Sequence, residues 1–451
     1  MISMNLSEAA KLLGVGLVDA DALFTGCSID SRTVQKGNLF IAIRGEKFDG
    51  HSFVKLAQNH GACAALVENA YSEKSLPLLS VNDSRKAMAR LAGSWRSDFA
   101  IPLIAVTGSN GKTTVKEMLS SILSVKASVL ATRGNLNNEI GVPLTLFGLD
   151  KAHKYAVIEM GANHPGEIAF LSKLAKPTVA LITQCAPAHL EGFGSIEGVA
   201  RAKGEIYSGL GPDGMAIVNT DDAYADFWCK LASAYNQIGF GFSKKADISA
   251  SDVIFDTDTG KTRFKLNTPA GSGVINLPLA GKHNVMNALA AAACCYAINI
   301  PLSDIQVGLE KMPHVHGRMQ LVTTREGARV FDDTYNANPT SLKAGLQVLG
   351  TYPGKRWLVL GDMGELGEAS IELHRQAGEM AREQSIEKLY ALGNLSKYAV
   401  EQFGLGAMHF DQIEDLLTAL KTDISADTTV LVKGSRFMAM DRVIKSLMGA
   451  N

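Results

Sequence analysis

The stretch T-G-S-N-G-K-T-T occupies residues 107–114, between an apolar run that ends at Val106 and apolar residues at helical spacing from Val115 to Leu123. A glycine-rich loop between a strand and a helix is typical of a phosphate-binding loop, because backbone N–H groups and the positive end of the helix then face the phosphate oxygens. Lys112 is expected to reach the outer phosphates, and the Thr113 hydroxyl is expected to bind Mg²⁺. A glycine-rich turn without a ligand is the alternative. The candidate nucleotide-binding residues here are Thr107, Gly108, Ser109, Asn110, Gly111, Lys112, Thr113 and Thr114.

Strand-like runs and amphipathic helices alternate around this loop. Apolar runs recur at residues 155–160, 179–183 and 215–219, which predicts a parallel sheet with helices on both faces. Between residues 248 and 279, β-branched and polar residues alternate around two glycines. That pattern predicts an antiparallel hairpin region added to the sheet.

The chain is predicted to be an α/β protein of three domains. Residues 1–84 are expected to form a small α/β N-terminal domain, and residues 85–312 a central domain with the phosphate loop and a parallel sheet. Residues 313–451 alternate strands and helices again and are expected to form a Rossmann-like α/β C-terminal domain. A length of 451 residues agrees with two to four domains of roughly 100–200 residues each.

Composition excludes several classes of protein. The formal net charge is -1, so no basic surface for nucleic acid is expected. The N-terminus does not resemble a signal peptide, and the longest apolar run, residues 288–298, is too short for a membrane helix. The six cysteines form no C-x-x-C pair, which disfavours zinc. A cytoplasmic protein without membrane insertion is the expectation.

A carboxylate follows a strand beside the phosphate-loop strand. Glu159 lies in V-I-E-M-G-A-N-H, at the predicted carboxyl end of its strand. Ligands of doubly wound sheets bind at these strand ends, and a carboxylate there can hold Mg²⁺ beside the phosphates. A solvated loop residue is the alternative.

Several motifs together resemble those of the Mur ligase family. The loop itself is the shorter variant T-G-x-x-G-K-T, with Val106 where the common pattern has glycine. The resemblance spans about residue 25 to residue 445. The other matching segments are A-K-G-E-I at 202–206, G-K-H-N-V-M-N-A at 281–288, G-R at 317–318, D-D-T-Y-N-A-N-P at 332–339 and V-K-G-S-R at 432–436.

The resemblance implies roles for particular residues. His189 and a carbamylated Lys203 would bind a second Mg²⁺, and Asn137 and Asn138 would hold the substrate near the γ-phosphate. The alternatives without a metal are that His189 is a loop residue that makes a simple hydrogen bond and that Lys203 is an exposed lysine on a helix. The remaining nucleotide contacts implied are His283, Asn284, Asn287, Arg318 and Asp333, and the implied catalytic set is Lys112, Glu159, His189, Lys203 and Arg318.

The first segment also carries a family-like stretch, D-S-R-T-V-Q-K-G-N-L-F-I-A-I-R-G-E-K-F-D-G-H at residues 30–51. In the family such a first domain binds the UDP end of the substrate. The substrate-binding residues implied here are Ser31, Arg32, Phe48, Asp49, Gly50 and His51, with Lys433 and Arg436 at the opposite end of the chain.

The resemblance implies an ATP-dependent ligase that joins an amine to a carboxylate through an acyl phosphate. M-G-A-N-H-P-G-E-I at 160–168 and L-G-D-M-G-E-L-G at 360–367 favour the member that adds D-alanyl-D-alanine to UDP-MurNAc-tripeptide. Its cofactors would be ATP and Mg²⁺, its partners small molecules only, and its state a monomer. Another Mur-type or folylpolyglutamate-type ligase and a non-catalytic nucleotide-binding switch are the alternatives.

Overall fold

The computed structural model of the chain describes residues 1–16, 21–46, 48–73, 75–187, 190–313 and 315–449. These residues form four β-sheets with helices packed against them, a mixed α/β architecture as the sequence predicts. No described helix has both the length and the apolar composition that crossing a membrane requires.

The N-terminal part contains two small sheets. A two-stranded antiparallel sheet pairs β1 with β2, and a four-stranded parallel sheet has the order β3-β4-β5-β6. Its elements are β1 Ser3–Asn5, α1 Leu6–Leu13, β2 Leu23–Thr25, β3 Cys27–Ser28, β4 Leu39–Ile41, a 3-10 turn Gly50–Phe53, α2 Val54–Asn59, β5 Ala64–Glu68 and β6 Leu78–Val81. Helix α3 Ser84–Ser97 follows and leads into the central part.

The central part contains a nine-stranded sheet of order β15-β14-β13-β12-β11-β10-β7-β9-β8. Neighbouring strands from β7 to β13 pair in parallel, whereas β13 with β14 and β14 with β15 pair antiparallel. The first elements are β7 Leu103–Thr107, α4 Lys112–Leu123, β8 Ser128–Ala131, α5 Gly141–Phe147, β9 His153–Glu159, α6 Glu167–Ala175, β10 Val179–Ile182, α7 Leu190–Phe193, α8 Ile196–Gly204 and a 3-10 turn Glu205–Gly209. The later elements are β11 Met215–Asn219, α9 Ala225–Leu231, β12 Asn236–Gly241, β13 Ile248–Asp256, β14 Lys261–Thr268, β15 Gly271–Leu277, α10 Lys282–Ala297 and α11 Leu302–Glu310.

The C-terminal part contains a six-stranded sheet of order β16-β17-β21-β18-β19-β20, parallel except at its β16 edge. Its elements are β16 Gln320–Thr323, β17 Arg329–Asp333, α12 Pro339–Leu349, β18 Lys355–Gly361, a 3-10 turn Gly367–Ala369, α13 Ser370–Glu383, β19 Lys388–Leu392, α14 Lys397–Phe403, β20 Ala407–Phe410, α15 Ile413–Asp423, β21 Thr428–Lys433, a 3-10 turn Arg436–Met438 and α16 Asp441–Met448.

The phosphate-loop strand β7 lies inside the central sheet, third from the β8 edge, and both of its faces are apolar. Every residue of Leu103–Thr107 is buried, and alternate residues belong to the cores on the two sides of the sheet. A strand buried on both faces is typical of a parallel sheet covered by helices. Its carboxyl end therefore opens at the sheet edge where ligands bind in doubly wound folds.

The predicted strands coincide with observed ones, and the hairpin region at residues 248–279 is the antiparallel set β13–β15. Among the strands that the sequence did not single out are β8 and β12 of the central sheet. Strand β12, N-Q-I-G-F-G, contains two polar residues and two glycines, so it has no apolar run to reveal it.

Candidate active site

Two glycines allow the phosphate loop to approach its neighbours closely. Gly108 has a φ of 146°, and a side chain there would collide with Thr183 at the end of the adjacent strand. Gly111 caps helix α4 with a φ of 84° and faces the side chain of Asn287. Because left-handed backbone and close contact both exclude a Cβ atom, these two positions require glycine.

The loop is tied to the ends of the strands on either side. The Thr107 hydroxyl donates to the carbonyl of Met160 over 2.8 Å, and the Ser109 hydroxyl donates to the carbonyl of Ala186 over 3.0 Å. The Thr183 hydroxyl donates to the carbonyl of Asn110 over 2.5 Å. These bonds fix the loop before any ligand binds, which is the preorganisation that electrostatic binding of phosphate needs.

Lys112 lies across the mouth of the loop. Its Nζ donates to the carbonyl of Gly108 over 2.6 Å. Burial lowers the pKa of Lys112, and the negative charge of Glu159 opposes that change. The lysine is thus a cation placed where it can exchange a backbone carbonyl for a phosphate oxygen.

Glu159 presents a carboxylate oxygen that no described side chain or backbone group satisfies. The residue is 2% exposed, its Oε1 accepts from Nδ2 of Asn137 over 2.8 Å, and its Oε2 is buried without a hydrogen-bond partner. Its backbone N–H donates to the Thr132 hydroxyl over 3.0 Å. A buried anionic oxygen without a partner is costly unless a cation or donor from a ligand completes it.

Lys203 is 1% exposed at the end of helix α8 and does not line the large cavity described below. Burial is the main reason that the pKa of Lys203 falls to about 7, and the charge of Lys112 lowers it further. Its Nζ lies 5.5 Å from the centre of the Phe193 ring. His189, the other residue predicted for a second metal, lies outside the described residues.

Helix α10 begins beside the phosphate loop and carries the three residues predicted to lie near the base. The Asn284 side chain donates to the carbonyl of Ala280 over 2.8 Å, and Asn287 donates to Oδ1 of Asn284 over 3.2 Å. Burial lowers the pKa of His283 to about 4, so this imidazole is neutral at pH 7. These residues face the cavity as neutral hydrogen-bonding groups.

The C-terminal part brings a guanidinium to the phosphate loop. Arg318 donates from NH2 to the Thr113 hydroxyl over 3.2 Å, and its buried Nε has no hydrogen-bond partner among the described residues. The Arg318 guanidinium lies 4.0 Å from the centre of the Tyr335 ring. A guanidinium that has an unused N–H donor beside a phosphate loop can donate a hydrogen bond to a phosphate oxygen.

Asp333 and Lys433 form a buried ion pair. Lys433 Nζ donates to Asp333 Oδ2 over 2.5 Å and to the carbonyl of Asn336 over 3.0 Å. The other carboxylate oxygen of Asp333 accepts from the backbone N–H of Met319. The cavity contacts both residues, but each already has a partner within the protein.

A cavity of about 1510 Å³ lies between the central and C-terminal parts. The predicted residues that line it are seven from the phosphate loop and a strand end and nine others: Ser109, Asn110, Gly111, Lys112, Thr113, Thr114, Glu159, Asn137, Asn138, His283, Asn284, Asn287, Arg318, Asp333, Lys433 and Arg436. Residues that are far apart in the sequence therefore share one site.

The six predicted residues of the first segment do not line this cavity. The imidazole of His51 bonds through Nδ1 to Asp49 over 2.6 Å and accepts through Nε2 from the backbone N–H of Glu68 over 2.9 Å. Phe48 is 74% exposed, and Gly50 packs against the backbone of Ile43. The exposed Arg32 makes a two-pronged ion pair with Asp30, and the backbone carbonyl of the buried Ser31 bonds to His60.

One chain of contacts joins that first segment to the cavity. Arg85 donates to the backbone carbonyl of Arg44 over 2.8 Å and to Glu139 over 2.6 Å, and Glu139 lines the cavity. Arg44 in turn pairs with Asp49 over 3.2 Å. The loop around Asp49 is thus tethered to one wall of the site.

Four residues of the site were not singled out from the sequence: Thr132, Thr183, Tyr335 and Asn338. Tyr335 and Asn338 lie inside the motif at 332–339, so the sequence could place them near the site but could not predict their contacts. Thr183 is the last residue of the predicted strand at 179–183, beside the phosphate loop, which is a usable signal. Among the described residues, no three His, Cys, Asp or Glu side chains cluster closely enough to hold a metal ion by themselves.

The fold and the site define a phosphate-loop protein whose ligand cavity is closed by a second α/β unit. Three family models match the chain: the Mur ligase family catalytic domain at residues 23–96, the Mur ligase middle domain at 106–295 and the Mur ligase glutamate ligase domain at 317–436. The chain belongs to the Mur ligase family. Members of this family are ATP-dependent ligases that form amide bonds, and this chain is one of them.

Relatives match along the whole chain. UDP-N-acetylmuramoyl-tripeptide–D-alanyl-D-alanine ligase of Escherichia coli (strain K12) is 43% identical over 450 residues, covering 99% of both chains. The protein of the same name from Bacillus subtilis (strain 168) is 35% identical over 462 residues, covering 98% of this chain and 97% of the relative.

Solved structures match equally fully. A crystal structure of MurF from Acinetobacter baumannii has a TM-score of 0.93 at 36% identity, covering 99% of both chains. The MurF ligase of Thermotoga maritima in complex with ADP has a TM-score of 0.83 at 30% identity, covering 94% of this chain and 97% of that one.

Proposed function

We propose that this chain joins D-alanyl-D-alanine to UDP-MurNAc-tripeptide, converting ATP to ADP and phosphate, as a step of peptidoglycan precursor synthesis. The observation that carries the proposal is the 43% identity, over 99% of both chains, to the Escherichia coli protein of that name. The cavity supports it, because the phosphate loop and polar residues of the C-terminal part line one shared space of about 1510 Å³.

The reaction has two chemical steps. The terminal carboxylate of the tripeptide attacks the γ-phosphorus of ATP, which forms an acyl phosphate and releases ADP. The free amine of the dipeptide then attacks the acyl carbon, which forms the amide and expels phosphate, and the amine's surplus proton leaves. The chain contributes position and charge rather than a nucleophile of its own.

Lys112 and Arg318 supply the positive charge for the phosphoryl transfer. They approach from different parts of the chain, Lys112 from the phosphate loop and Arg318 through its contact with the Thr113 hydroxyl. The unpartnered Nε of Arg318 is a preformed donor for an oxygen whose charge increases during transfer. Asn137 and Asn138 line the same cavity and are proposed to hold the tripeptide carboxylate near the γ-phosphate.

Thr113 and Glu159 are the residues that would hold Mg²⁺. The buried, unpartnered Oε2 of Glu159 fits this role, because Mg²⁺ prefers oxygen ligands and the carboxylate otherwise lacks a counter-charge at that atom. Bound Mg²⁺ would reduce the repulsion between the tripeptide carboxylate and the triphosphate.

For a second Mg²⁺ we propose His189 and Lys203, the latter as a carbamate. Carbamylation needs an unprotonated amine, and a pKa of about 7 leaves a large neutral fraction of Lys203 at neutral pH. Lys203 is buried, and a charged ammonium group is costly to bury. Conversion of the amine to a carbamate bound to Mg²⁺ would remove that cost.

The nucleoside would contact His283, Asn284, Asn287 and Asp333. Asp333 already accepts from Lys433 and Met319, but a carboxylate has about four acceptor positions, so a ribose hydroxyl can still donate to it. Lys433 then acts by fixing that carboxylate, and Arg436 remains available to the substrates.

We propose the division into domains at residues 1–84, 85–312 and 313–451, with the first binding the UDP end of the substrate. Ser31, Arg32, Phe48, Asp49, Gly50 and His51 are the proposed residues for that contact. The tether from Asp49 through Arg44 and Arg85 to Glu139 supports this, since it connects the first segment to the cavity wall. We further propose a monomer that works in the cytoplasm.

Phosphate release measured with a panel of UDP-MurNAc-peptides and amines tests the function. Turnover should require ATP, UDP-MurNAc-tripeptide and D-alanyl-D-alanine together. Turnover with a shorter UDP-MurNAc-peptide and a single amino acid would move the chain to another step of the same family.

A further inference from the structure

The Tyr335 side chain contacts two arginines at once. The Arg318 guanidinium lies 4.0 Å from the ring centre, and the Arg436 guanidinium lies 5.4 Å from it. Arg436 also donates from NH1 to the Tyr335 hydroxyl over 3.3 Å. Tyr335 thus holds two cations in one wall of the cavity, and their mutual repulsion favours an anionic ligand there.

The five Lys and Arg residues that line the cavity have different surroundings. Lys112 belongs to the phosphate loop, and Arg318 donates to Thr113 of that loop, so both serve the triphosphate. Lys433 is neutralised by the buried Asp333. Lys282 lies 4.5 Å from the centre of the Phe242 ring, at the start of the helix proposed to contact the base.

Arg436 is the remaining cation. It is exposed to the cavity, and no carboxylate within the described ranges lies within ion-pairing distance of it. Among the described residues, Arg436 therefore has no ion-pair partner and, unlike Arg318, makes no hydrogen bond to the phosphate loop.

The backbone around Arg436 is held firmly. The backbone N–H of Ser435 donates to the carbonyl of Asp362 over 3.0 Å, and the Ser435 hydroxyl accepts from the backbone N–H of Gly364 over 2.8 Å. The neighbouring Phe437 is 68% exposed, and its ring lies against Gly364. A small ligand with a carboxylate and methyl groups could bind here, with its carboxylate at the Arg436 guanidinium and its methyl groups against the exposed Phe437 ring.

We propose that Arg436, held in position by Tyr335, binds the carboxylate of the amine substrate. This inference rests on the proposed function, and it assigns the end of the dipeptide that does not react. The dipeptide is an ammonium carboxylate, so binding of its carboxylate at Arg436 leaves the amine free to turn toward the acyl phosphate. Tyr335 is a positioning residue, because it acts on the substrate through Arg436.

The test compares D-alanyl-D-alanine with D-alanyl-D-alaninamide, whose carboxylate is replaced by a neutral carboxamide. With the unaltered chain, the KM for the carboxamide should exceed that for the dipeptide by about 10- to 100-fold, the value of a charge-assisted hydrogen bond. Arg436→Gln should raise the KM for the dipeptide by a similar factor and leave the KM for the carboxamide unchanged. The KM for ATP should not change.

Two tyrosine variants test the positioning role. Tyr335→Phe removes the hydroxyl that accepts from Arg436 but keeps the ring, so the preference for the carboxylate should fall by about 2- to 10-fold. Tyr335→Leu also removes the ring and should reduce that preference further. Tyr398→Leu is the matched control, since Arg375 and Lys397 lie 5.3 and 5.2 Å from its ring centre and it does not line the cavity. It should leave the preference intact.

Three results would overturn the inference while the ligase function stands. The first is equal use of the dipeptide and its carboxamide by the unaltered chain. The second is an unchanged preference in Arg436→Gln, which would place the carboxylate elsewhere. The third is a rise in KM for UDP-MurNAc-tripeptide alone, which would assign Arg436 to the other substrate. Absence of any turnover with the dipeptide would instead overturn the proposed function and this inference with it.

Discussion

The side-chain amide of Asn338 donates a hydrogen bond to Oδ1 of Asn110 over 2.7 Å, joining two residues 228 positions apart. Asn110 belongs to the phosphate loop, and Asn338 caps helix α12 by accepting from the backbone N–H of Ser341 over 2.9 Å. One side chain therefore caps the start of a helix of the C-terminal part and also joins that part to the phosphate loop. A closed contact between the two parts would limit the access of water, which would hydrolyse an acyl phosphate.

Asn338→Ser separates these two functions of Asn338. Serine is also a good N-cap residue, so stability should change by less than about 0.5 kcal/mol. Its shorter side chain loses the donor to Asn110, so the KM for ATP should rise by about 2- to 10-fold, the effect of one neutral hydrogen bond. Kinetics and thermal unfolding of the same sample measure both effects.

Asn110→Ala provides the second arm of a double-mutant cycle. If the two side chains act through their shared bond, the double variant should be no worse than either single variant. Fully additive losses in the ATP dependence would show that the contact has no functional effect.

Removal of Mg²⁺ should abolish phosphate release, and the requirement should depend on Glu159. Glu159→Gln keeps the shape of the side chain but removes its charge, so activity should fall by at least about 100-fold at Mg²⁺ concentrations that saturate the unaltered chain. Asn137→Ala removes the donor to Oε1 and should raise the half-saturating Mg²⁺ concentration by about 10- to 100-fold. Titration of Mg²⁺ after treatment with a chelator measures both, and unchanged titration curves would contradict the assignment of Glu159.

The sequence predicted those parts of the molecule whose characteristic residues lie close together along the chain. The phosphate loop could be predicted because strand, glycines, lysine and helix follow one another within residues 103–123. The pairing of Asp333 with Lys433 could not, because the two residues lie 100 positions apart and only the parallel pairing of β17 with β21 brings them together. Lys433 was predicted at the substrate cleft, and it lines the cavity, but its ammonium is bound to Asp333 and Asn336.

The same limit applies to the organisation of the site. The sequence did not indicate a role for Tyr335, because its role depends on contacts with two arginines that are distant in the sequence from each other, Arg318 and Arg436. Strand β12 was missed for a different reason, since burial by neighbouring strands overrides the weak β propensity of its polar residues and glycines.

Breaking the Asp333–Lys433 pair should destabilise the C-terminal part. The Lys433 side chain is 2% exposed and that of Asp333 is 12% exposed, so Lys433→Met would leave a largely buried carboxylate without its counter-charge. Loss of one partner of a buried pair costs about 3–5 kcal/mol of unfolding free energy. Denaturant unfolding followed by a probe in the C-terminal part measures the change.

Lys355→Met is the matched control for that variant. Lys355 lies at the start of β18 in the same sheet, and its pair with Asp427 spans 3.3 Å with side chains 46% and 57% exposed. Because surface pairs contribute little, its cost should stay below about 1 kcal/mol. Equal costs for the two lysine variants would show that burial of the Asp333–Lys433 pair has no energetic consequence.

His374 should make the loop beside the cavity sensitive to acid. Its Nε2 accepts from the backbone N–H of Met363 over 2.9 Å, and its Nδ1 donates to the carbonyl of Ser370 over 2.6 Å, so the bonded imidazole is neutral. Burial lowers the pKa of His374 below its ordinary value of 6.5. The loop that His374 anchors includes Gly364, Glu365 and Leu366, which line the cavity.

The sign of the pH effect follows from that lowered pKa. The open loop lets the imidazole of His374 take up a proton more readily than the closed loop does. The stabilisation of the closed loop by neutral His374 is therefore complete above pH 6.5 and is lost as the pH falls toward the lowered pKa. Amide exchange of residues 361–367, corrected for intrinsic rates, should therefore show less protection at about pH 5.5 than at about pH 7.5. His374→Asn removes the titrating group, so its protection should not depend on pH in this way, whatever its level. The same pH dependence in both chains would assign the effect to another group.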